Sequence, residues 1–201
     1  MVIINHTNGK VVGCVGGLGE KTVARGLNRA TQSIRQTGSS IKPIAVLAPA
    51  LQEKIITPDT IYDDSETIFE KGYSPKNYEQ NRGKITVRQA VESSQNIPFV
   101  KIMQSVTPKV AIKYMEKMGI TTLTKKDENL PLALGGLENG ISPLEMAGAY
   151  ATIANDGTYI EPTFYTTVIS KSGQVVINKK QKKKRVLSKN VSDTLKDLLT
   201  E

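Results

Sequence analysis

Ser39 is followed three residues later by Lys42, and every other serine of the 201-residue chain lacks a lysine at that distance. On a helix, residues i and i+3 share a face, so a lysine ammonium at this spacing can reach the serine hydroxyl. A serine in the first turn of a buried helix also sits at the positive end of the helix dipole, which favours developing oxyanion charge. A lysine partly removed from water has a lowered pKa and can act as base for the serine. The spacing by itself equally suits a helix cap beside a surface lysine. The second candidate is Ser94-Gln95-Asn96, Ser-x-Asn at the end of a short helix. Ile97-Pro98 follows at once, a rigid junction able to hold polar side chains in a cleft. Its plain alternative is a helix C-terminal turn. The other Ser-x-Asn, Ser188-Lys189-Asn190, directly precedes an amphipathic pattern and reads as a helix cap.

Composition narrows the chemistry. The single cysteine, Cys14, excludes an internal disulfide and a cysteine-cluster metal site. His6 is the only histidine, which disfavours a histidine zinc site and a Ser-His-Asp triad. Neither a cofactor nor a metal is expected. The net charge of +8 allows an anionic partner. The densest basic run, Lys179 to Arg185, carries no interleaved aromatic residue and reads as a solvated loop or hairpin end. A nucleic-acid partner is therefore not expected. The longest nearly apolar run, Ile44 to Leu51, is far short of the roughly 18 residues a membrane-spanning helix needs. No secretory signal opens the chain, so if the protein works at or outside a membrane its anchor is expected to have been removed or to lie on another segment.

The elements that must position these residues mix strands and helices without βαβ alternation, which predicts an α+β fold. Val2-Ile3-Ile4 and Val11-Val12 flank Asn8-Gly9 and predict a β-hairpin. A long loop starts at Gly16-Gly17 and Gly19. Ile44, Leu47, Ala48 and Leu51 predict a buried helix from about Ser39 to Glu53. Residues 54–84 read as an irregular excursion. Thr86 with Gln89 forms a capping box opening a helix that ends near Ser94. A short helix starts at Ile97-Pro98, and Thr107-Pro108 caps another that runs to Met118. Ser142-Pro143-Leu144-Glu145 starts a helix that Gly157 ends. Thr158–Ile169 and Gln174–Ile177 read as two strands, and Lys189–Leu199 as a final amphipathic helix.

Longer segments carry a resemblance. Arg35-Gln36-Thr37-Gly38-Ser39-Ser40-Ile41-Lys42-Pro43 resembles the nucleophile segment of penicillin-binding proteins. Asn28–Gln32, Tyr73–Tyr78, Arg82–Ala90, Ser94–Pro98, Leu132–Gly136 and Ile141–Ala147 follow the same family in the same order. The resemblance runs from about Val2 to Leu199 and is nearest to the transpeptidase domain of class A, bifunctional penicillin-binding proteins. Ser-x-x-Lys is among the signatures of these enzymes and of β-lactamases. The resemblance implies that Ser39 is the acylated nucleophile, Lys42 its general base and Ser94 a proton relay to the leaving amine. Asn96 would hydrogen-bond the substrate backbone. The reaction it implies is D,D-transpeptidation of peptidoglycan stem peptides, with β-lactam antibiotics trapping Ser39 and the enzyme working at the extracytoplasmic face of the bacterial membrane.

The family's third motif, Lys-Thr/Ser-Gly-Thr/Ser, is not found in Lys171-Ser172-Gly173. Gln174 replaces the required hydroxyl residue, and the tripeptide lies between two strand-like runs. The motif is expected after a helix like Lys189–Leu199. Residues 1–201 are therefore read as the N-terminal and central part of a transpeptidase domain, without its glycosyltransferase domain, membrane anchor and C-terminal strands. A companion segment carrying the third motif is expected beside the Val2–Val15 hairpin. The implied fold is that of penicillin-binding proteins and serine β-lactamases, an antiparallel sheet flanked by helices and here incomplete. The rivals are a non-catalytic domain that kept the fold, and a β-lactamase, for which no deacylating glutamate aligns.

Overall fold

The segment that carries Ser39 and Lys42 is helical from Gly38, which enters it at φ +55°, to Gln52, but it is not one α-helix. In the computed structural model, which describes residues 1–20 and 24–200, it changes pitch twice. Gly38–Ile41 is a 3-10 turn, Pro43–Leu47 a π-helical turn, and Ala48–Gln52 the short helix α1. Two prolines explain the departure from the single helix predicted. Pro49 has no N–H to give the Ala45 carbonyl, and in α geometry its ring would strike that carbonyl. The backbone widens instead, and Ala48 donates its N–H to the Pro43 carbonyl five residues back. The middle of the loop expected after Gly16, residues 21–23, lies outside the described residues.

This segment is the axis of the core. Ile41, Ile44 and Leu47 are fully buried among Phe99, Ile102, Met103, Met115, Met118 and Leu132. The helices around it are α2 (Val87–Glu92), α3 (Asn96–Val106), α4 (Pro108–Lys117), α5 (Pro143–Ala154) and α6 (Lys189–Leu198). α1 touches α3, α4 and α6, and α5 packs on α6. The predicted starts hold. The Thr86–Gln89 and Ser142–Glu145 capping boxes are both complete, and Thr107 accepts from the Val110 N–H. The helix from Asn96 is longer than predicted because Pro98 falls in its first turn, where a missing N–H costs nothing.

The expected fold of antiparallel strands flanked by helices is present in incomplete form: among the described residues the strands pair in twos, as four small antiparallel sheets. β1 (Val2–Asn5) and β2 (Lys10–Cys14) form the predicted hairpin, with Gly9 at φ +69° in its turn. β3 (Ile61–Asp63) pairs with β4 (Lys84–Thr86), Tyr62 opposite Ile85. β3 lies inside the stretch read as irregular, and β4 starts at its last residue. The run read as one strand from Thr158 to Ile169 breaks around Pro162 into β5 (Thr158–Ile160) and β6 (Thr167–Ile169). β6 pairs with β7 (Val175–Asn178), and β5 with β8 (Lys183–Arg185). The basic run is thus largely exposed as expected, but three of its seven residues are strand: the backbones of Lys183, Lys184 and Arg185 complete the ladder of β5.

Candidate active site

Ser39 and Lys42 lie in or beside the 3-10 turn, where side chains three apart eclipse one another. The Lys42 N–H donates to the Ser39 carbonyl, closing that turn. Ser39 is exposed, whereas Lys42 is 2% exposed. One residue of the pair therefore faces solvent and the other points into the protein.

Lys42 Nζ finds four oxygens there. It donates to the Ser94 carbonyl at 2.7 Å, Ser94 Oγ at 3.2 Å, the Gln95 carbonyl at 3.1 Å and Asn96 Oδ1 at 2.8 Å. The ammonium also lies 4.8 Å from the centre of the Phe99 ring. Burial pulls its pKa down to about 8, because removal from water penalises the charged form. Ser39 Oγ is not among its hydrogen-bond partners. Catalytic hydrogen bonds commonly tighten only once substrate is bound.

Local structure explains how three consecutive residues present four oxygens. α2 ends in a Schellman turn: the Gln95 N–H reaches the Ala90 carbonyl and the Ser94 N–H the Val91 carbonyl. The turn requires a left-handed residue at its bend, normally glycine. Here that residue is Ser94, at φ +50°. A non-glycine residue in this region costs about 1–3 kcal/mol and persists only where its surroundings impose it. The readings of Ser94–Asn96 as a helix C-terminal turn and as a cleft-forming motif are thus compatible, since the turn aims the polar groups.

A second set of contacts fixes the loop before Ser39. Arg35 and Ile141 exchange backbone hydrogen bonds, at 3.2 and 2.9 Å. The Gln36 side chain bonds both backbone groups of Leu137, accepting from its N–H at 2.8 Å and donating to its carbonyl. Tyr150 Oη donates to the Ser40 carbonyl at 2.8 Å. Gly135 and Gly140, at φ +81° and +94°, bring their backbones against this loop. A Cβ on Gly135 would stand 2.4 Å from the Gly38 nitrogen, and one on Gly140 2.4 Å from the Arg35 carbonyl carbon. Reasoning from motifs missed Gln36, Tyr150 and the two glycines as site supports, because their partners are about 100 residues away in sequence.

The four expected site residues fall in one place. Lys42 joins Ser94 and Asn96 directly, and Ser39 stands on the same turn as Lys42. Lys171-Ser172-Gly173 occupies the exposed turn between β6 and β7, where the Ser170 N–H donates to the Gln174 carbonyl at 2.8 Å. Among the described residues no group of three or more His, Cys, Asp or Glu is placed to hold a metal ion.

Comparison with known proteins agrees over the whole length. The family described as the penicillin binding protein transpeptidase domain matches residues 1–201. Penicillin-binding protein 1F of Bacillus subtilis is 38% identical over 201 residues, which is 100% of this chain and 27% of that protein. Penicillin-binding protein 1A of Clostridium botulinum is 36% identical over 98% of this chain and 25% of its own length. The chain thus spans about a quarter of these relatives. Among solved structures, PonA1 of Mycobacterium tuberculosis in complex with penicillin V superposes with a TM-score of 0.85 at 28% identity, covering 98% of this chain and 54% of that one. Penicillin-binding protein 1A of Haemophilus influenzae gives 0.83 at 25% identity, covering 98% and 34%. With its serine–lysine turn, its Ser-x-Asn turn and its full-length match, the chain belongs to the transpeptidase-domain family of class A penicillin-binding proteins.

Proposed function

We propose that residues 1–201 form the nucleophile side of a serine-type D-Ala-D-Ala transpeptidase/carboxypeptidase that cross-links peptidoglycan and is blocked covalently by β-lactams. The observation that carries this reading is the buried Lys42 ammonium, held by Ser94 and Asn96 one turn from the exposed Ser39. A pKa near 8 leaves a working fraction of Lys42 neutral at physiological pH, as a general base requires. Ser39 Oγ attacks the carbonyl of the D-Ala-D-Ala bond while its proton passes to Lys42 Nζ. Ser94 Oγ, bonded to that nitrogen, relays the proton to the leaving amine, and D-alanine departs. An amine of a neighbouring stem peptide then attacks the ester and frees Ser39. Asn96 spends one N–H on the Lys76 carbonyl and one lone pair on Lys42. An amide has a second of each, and these are available to the substrate backbone. The Ser39 N–H supplies one oxyanion donor, worth roughly 10²–10³ in rate.

The other oxyanion donor belongs to a companion segment with a Lys-Thr/Ser-Gly-Thr/Ser motif, packed beside the β1–β2 hairpin. The exposed Ile3 and Val12 of that hairpin, 48% and 65% accessible, support this placement. In the whole protein this domain accompanies a glycan-polymerising domain and an anchor on the extracytoplasmic face of the membrane. No described helix of residues 1–200 is long and apolar enough to cross a membrane. The test is fluorescent-penicillin labelling of the full protein, followed by intact-mass analysis. The expected outcome is one adduct, lost in Ser39→Ala. An adduct that persists in that variant overturns the assignment, and a protein that takes no label is the non-catalytic relative.

A further inference from the structure

The three residues that hold Lys42 are themselves held by a chain of polar groups, anchored on the buried Asp64, that the reaction does not touch. α3 begins at Asn96, and Gln95 before it provides no side-chain cap. The cap comes from Asn77, whose Oδ1 accepts the Asn96 N–H at 2.7 Å and the Ile97 N–H at 3.3 Å. These are the first N–H groups of a helix, which have no partner within it. Asn77 Nδ2 in turn donates to Asp64 Oδ1 at 2.8 Å and to Asn81 Oδ1 at 2.9 Å. Asp64 is fully buried. Its other oxygen accepts the Arg82 N–H at 2.9 Å, and its own N–H donates to the Gly83 carbonyl at 2.8 Å. A carboxylate only accepts, so Asp64 dictates which end of the Asn77 amide faces it and which faces α3. The adjacent Lys76 carbonyl completes the arrangement by accepting from Asn96 Nδ2 at 2.7 Å.

We propose that Asp64 and Asn77 are positioning residues of the acylation reaction: Asp64 orients the Asn77 amide, Asn77 caps α3 from outside it, and the cap holds Asn96 and the strained Ser94 against Lys42. This rests on the serine–lysine reading above. The burial of Asp64 supports it. A carboxylate is costly to bury and is tolerated where its oxygens are satisfied, and here they are satisfied by the two segments that converge on the Ser94–Asn96 turn. Neither residue meets the substrate. Their effect passes through Ser94 and Asn96 to Lys42, so it falls chiefly on the rate constant of acylation, and on affinity only through the one substrate contact of Asn96.

The experiment uses the full protein that carries this segment, with variants N77D, D64N and the exchanged pair D64N/N77D, and benzylpenicillin as the probe. In N77D an oxygen replaces Nδ2 and faces the Asp64 carboxylate, so the cap is pushed away. In the exchanged pair the amide now at position 64 donates to the carboxylate now at position 77 and still accepts from the Arg82 N–H, so the chain of bonds is rebuilt. Each protein is read by its melting temperature, by hydrogen exchange of the peptide covering residues 94–98, and by acylation kinetics separated into pre-covalent affinity and rate constant. The expected result for N77D is faster exchange at 94–98 and an acylation rate constant lower by on the order of 10²-fold, as for a misplaced catalytic group. Pre-covalent affinity changes much less, and D64N/N77D recovers most of the rate. Wild-type acylation in N77D despite faster exchange overturns the proposal. So does an exchanged pair that melts normally but acylates no better than N77D. A wild-type protein that takes no label overturns the serine–lysine reading and this proposal with it, and the exchange measurement, which needs no catalysis, tells that failure from the others.

Discussion

At the scale of residues, the site turns on the contrast between an exposed hydroxyl and a buried amine. Lys42 has its pKa lowered by burial to about 8, so the unfolded chain binds that proton more tightly between about 8 and 10.5. Stability therefore rises with pH through that window, and the full cost of the buried charge is present below it. The neutral fraction of Lys42 in the folded protein rises over the same range, and at pH 7 is roughly a tenth. Acylation of Ser39 by penicillin is predicted to climb with pH on a limb centred near 8, as stopped-flow fluorescence can follow. Lys42→Ala should remove that limb and slow acylation by roughly 10²–10⁴-fold. A flat profile in the wild-type protein would exclude Lys42 as the base. The acyl-enzyme is predicted to outlast a turnover with stem peptide. No deacylating glutamate aligns: among the described residues Glu138 is engaged with Lys126 at 2.6 Å, Glu128 lines a separate cavity of about 560 Å³ with Glu70 and Pro108, and Glu66 lines a hollow with Asn77 and Ile97. Rapid catalytic penicillin hydrolysis would point to a β-lactamase.

Two tight turns govern the elements. The Schellman turn of α2 places a serine where glycine is favoured, so Ser94→Gly should relieve strain while deleting the hydroxyl that Lys42 touches. The expected outcome is a rise in stability of about 1 kcal/mol by thermal or denaturant unfolding, together with a large loss of acylation rate. A variant both more stable and fully active would show that Ser94 Oγ carries no proton. Gly135 presses on the loop before Ser39, and Gly135→Ala would drive a Cβ to 2.4 Å from the Gly38 nitrogen. The neighbour there is backbone and cannot swing aside, so this variant should melt lower and label with penicillin more slowly. The loop also has other anchors, the Arg35–Ile141 bridge and the Gln36–Leu137 clamp, so the domain should still fold.

At the scale of the molecule, the proposed reading makes residues 1–201 one wall of a cleft. Ile3 and Val12 on β1–β2 are exposed, and so are Ile169, Val175 and Val176 on β6–β7. The isolated segment is predicted to associate or aggregate through such surfaces and to label with penicillin far more slowly than the full protein, since one lost oxyanion donor costs roughly 10²–10³ in rate. A monomeric segment, by light scattering, that labels on Ser39 at the full rate would return Lys171-Ser172-Gly173 to consideration as the third motif. Limited trypsin digestion should nick first near Lys180 and Lys182, which are exposed in the link between β7 and β8.

The amino-acid order alone determined what local rules can reach. The capping boxes at Thr86 and Ser142, the Asn8-Gly9 hairpin and the pairing of Ser39 with Lys42 depend on residues two to four apart. Their hydrogen bonds form wherever those residues meet. The family resemblance extended this to Ser94 and Asn96, because it compares motifs in order. Tertiary structure decided the rest. The changes of pitch along the Ser39 segment came from prolines placed on the core axis, and no local pattern distinguishes a π turn from the α-helix it replaces. β3–β4 and β5–β8 are three-residue strands paired with partners more than 20 residues away. Strands so short carry too little alternation to be read before their partner is in place. The Asp64–Asn77–Asn96 chain is legible only in three dimensions, since an asparagine in a polar loop has no mark until the helix it caps arrives beside it.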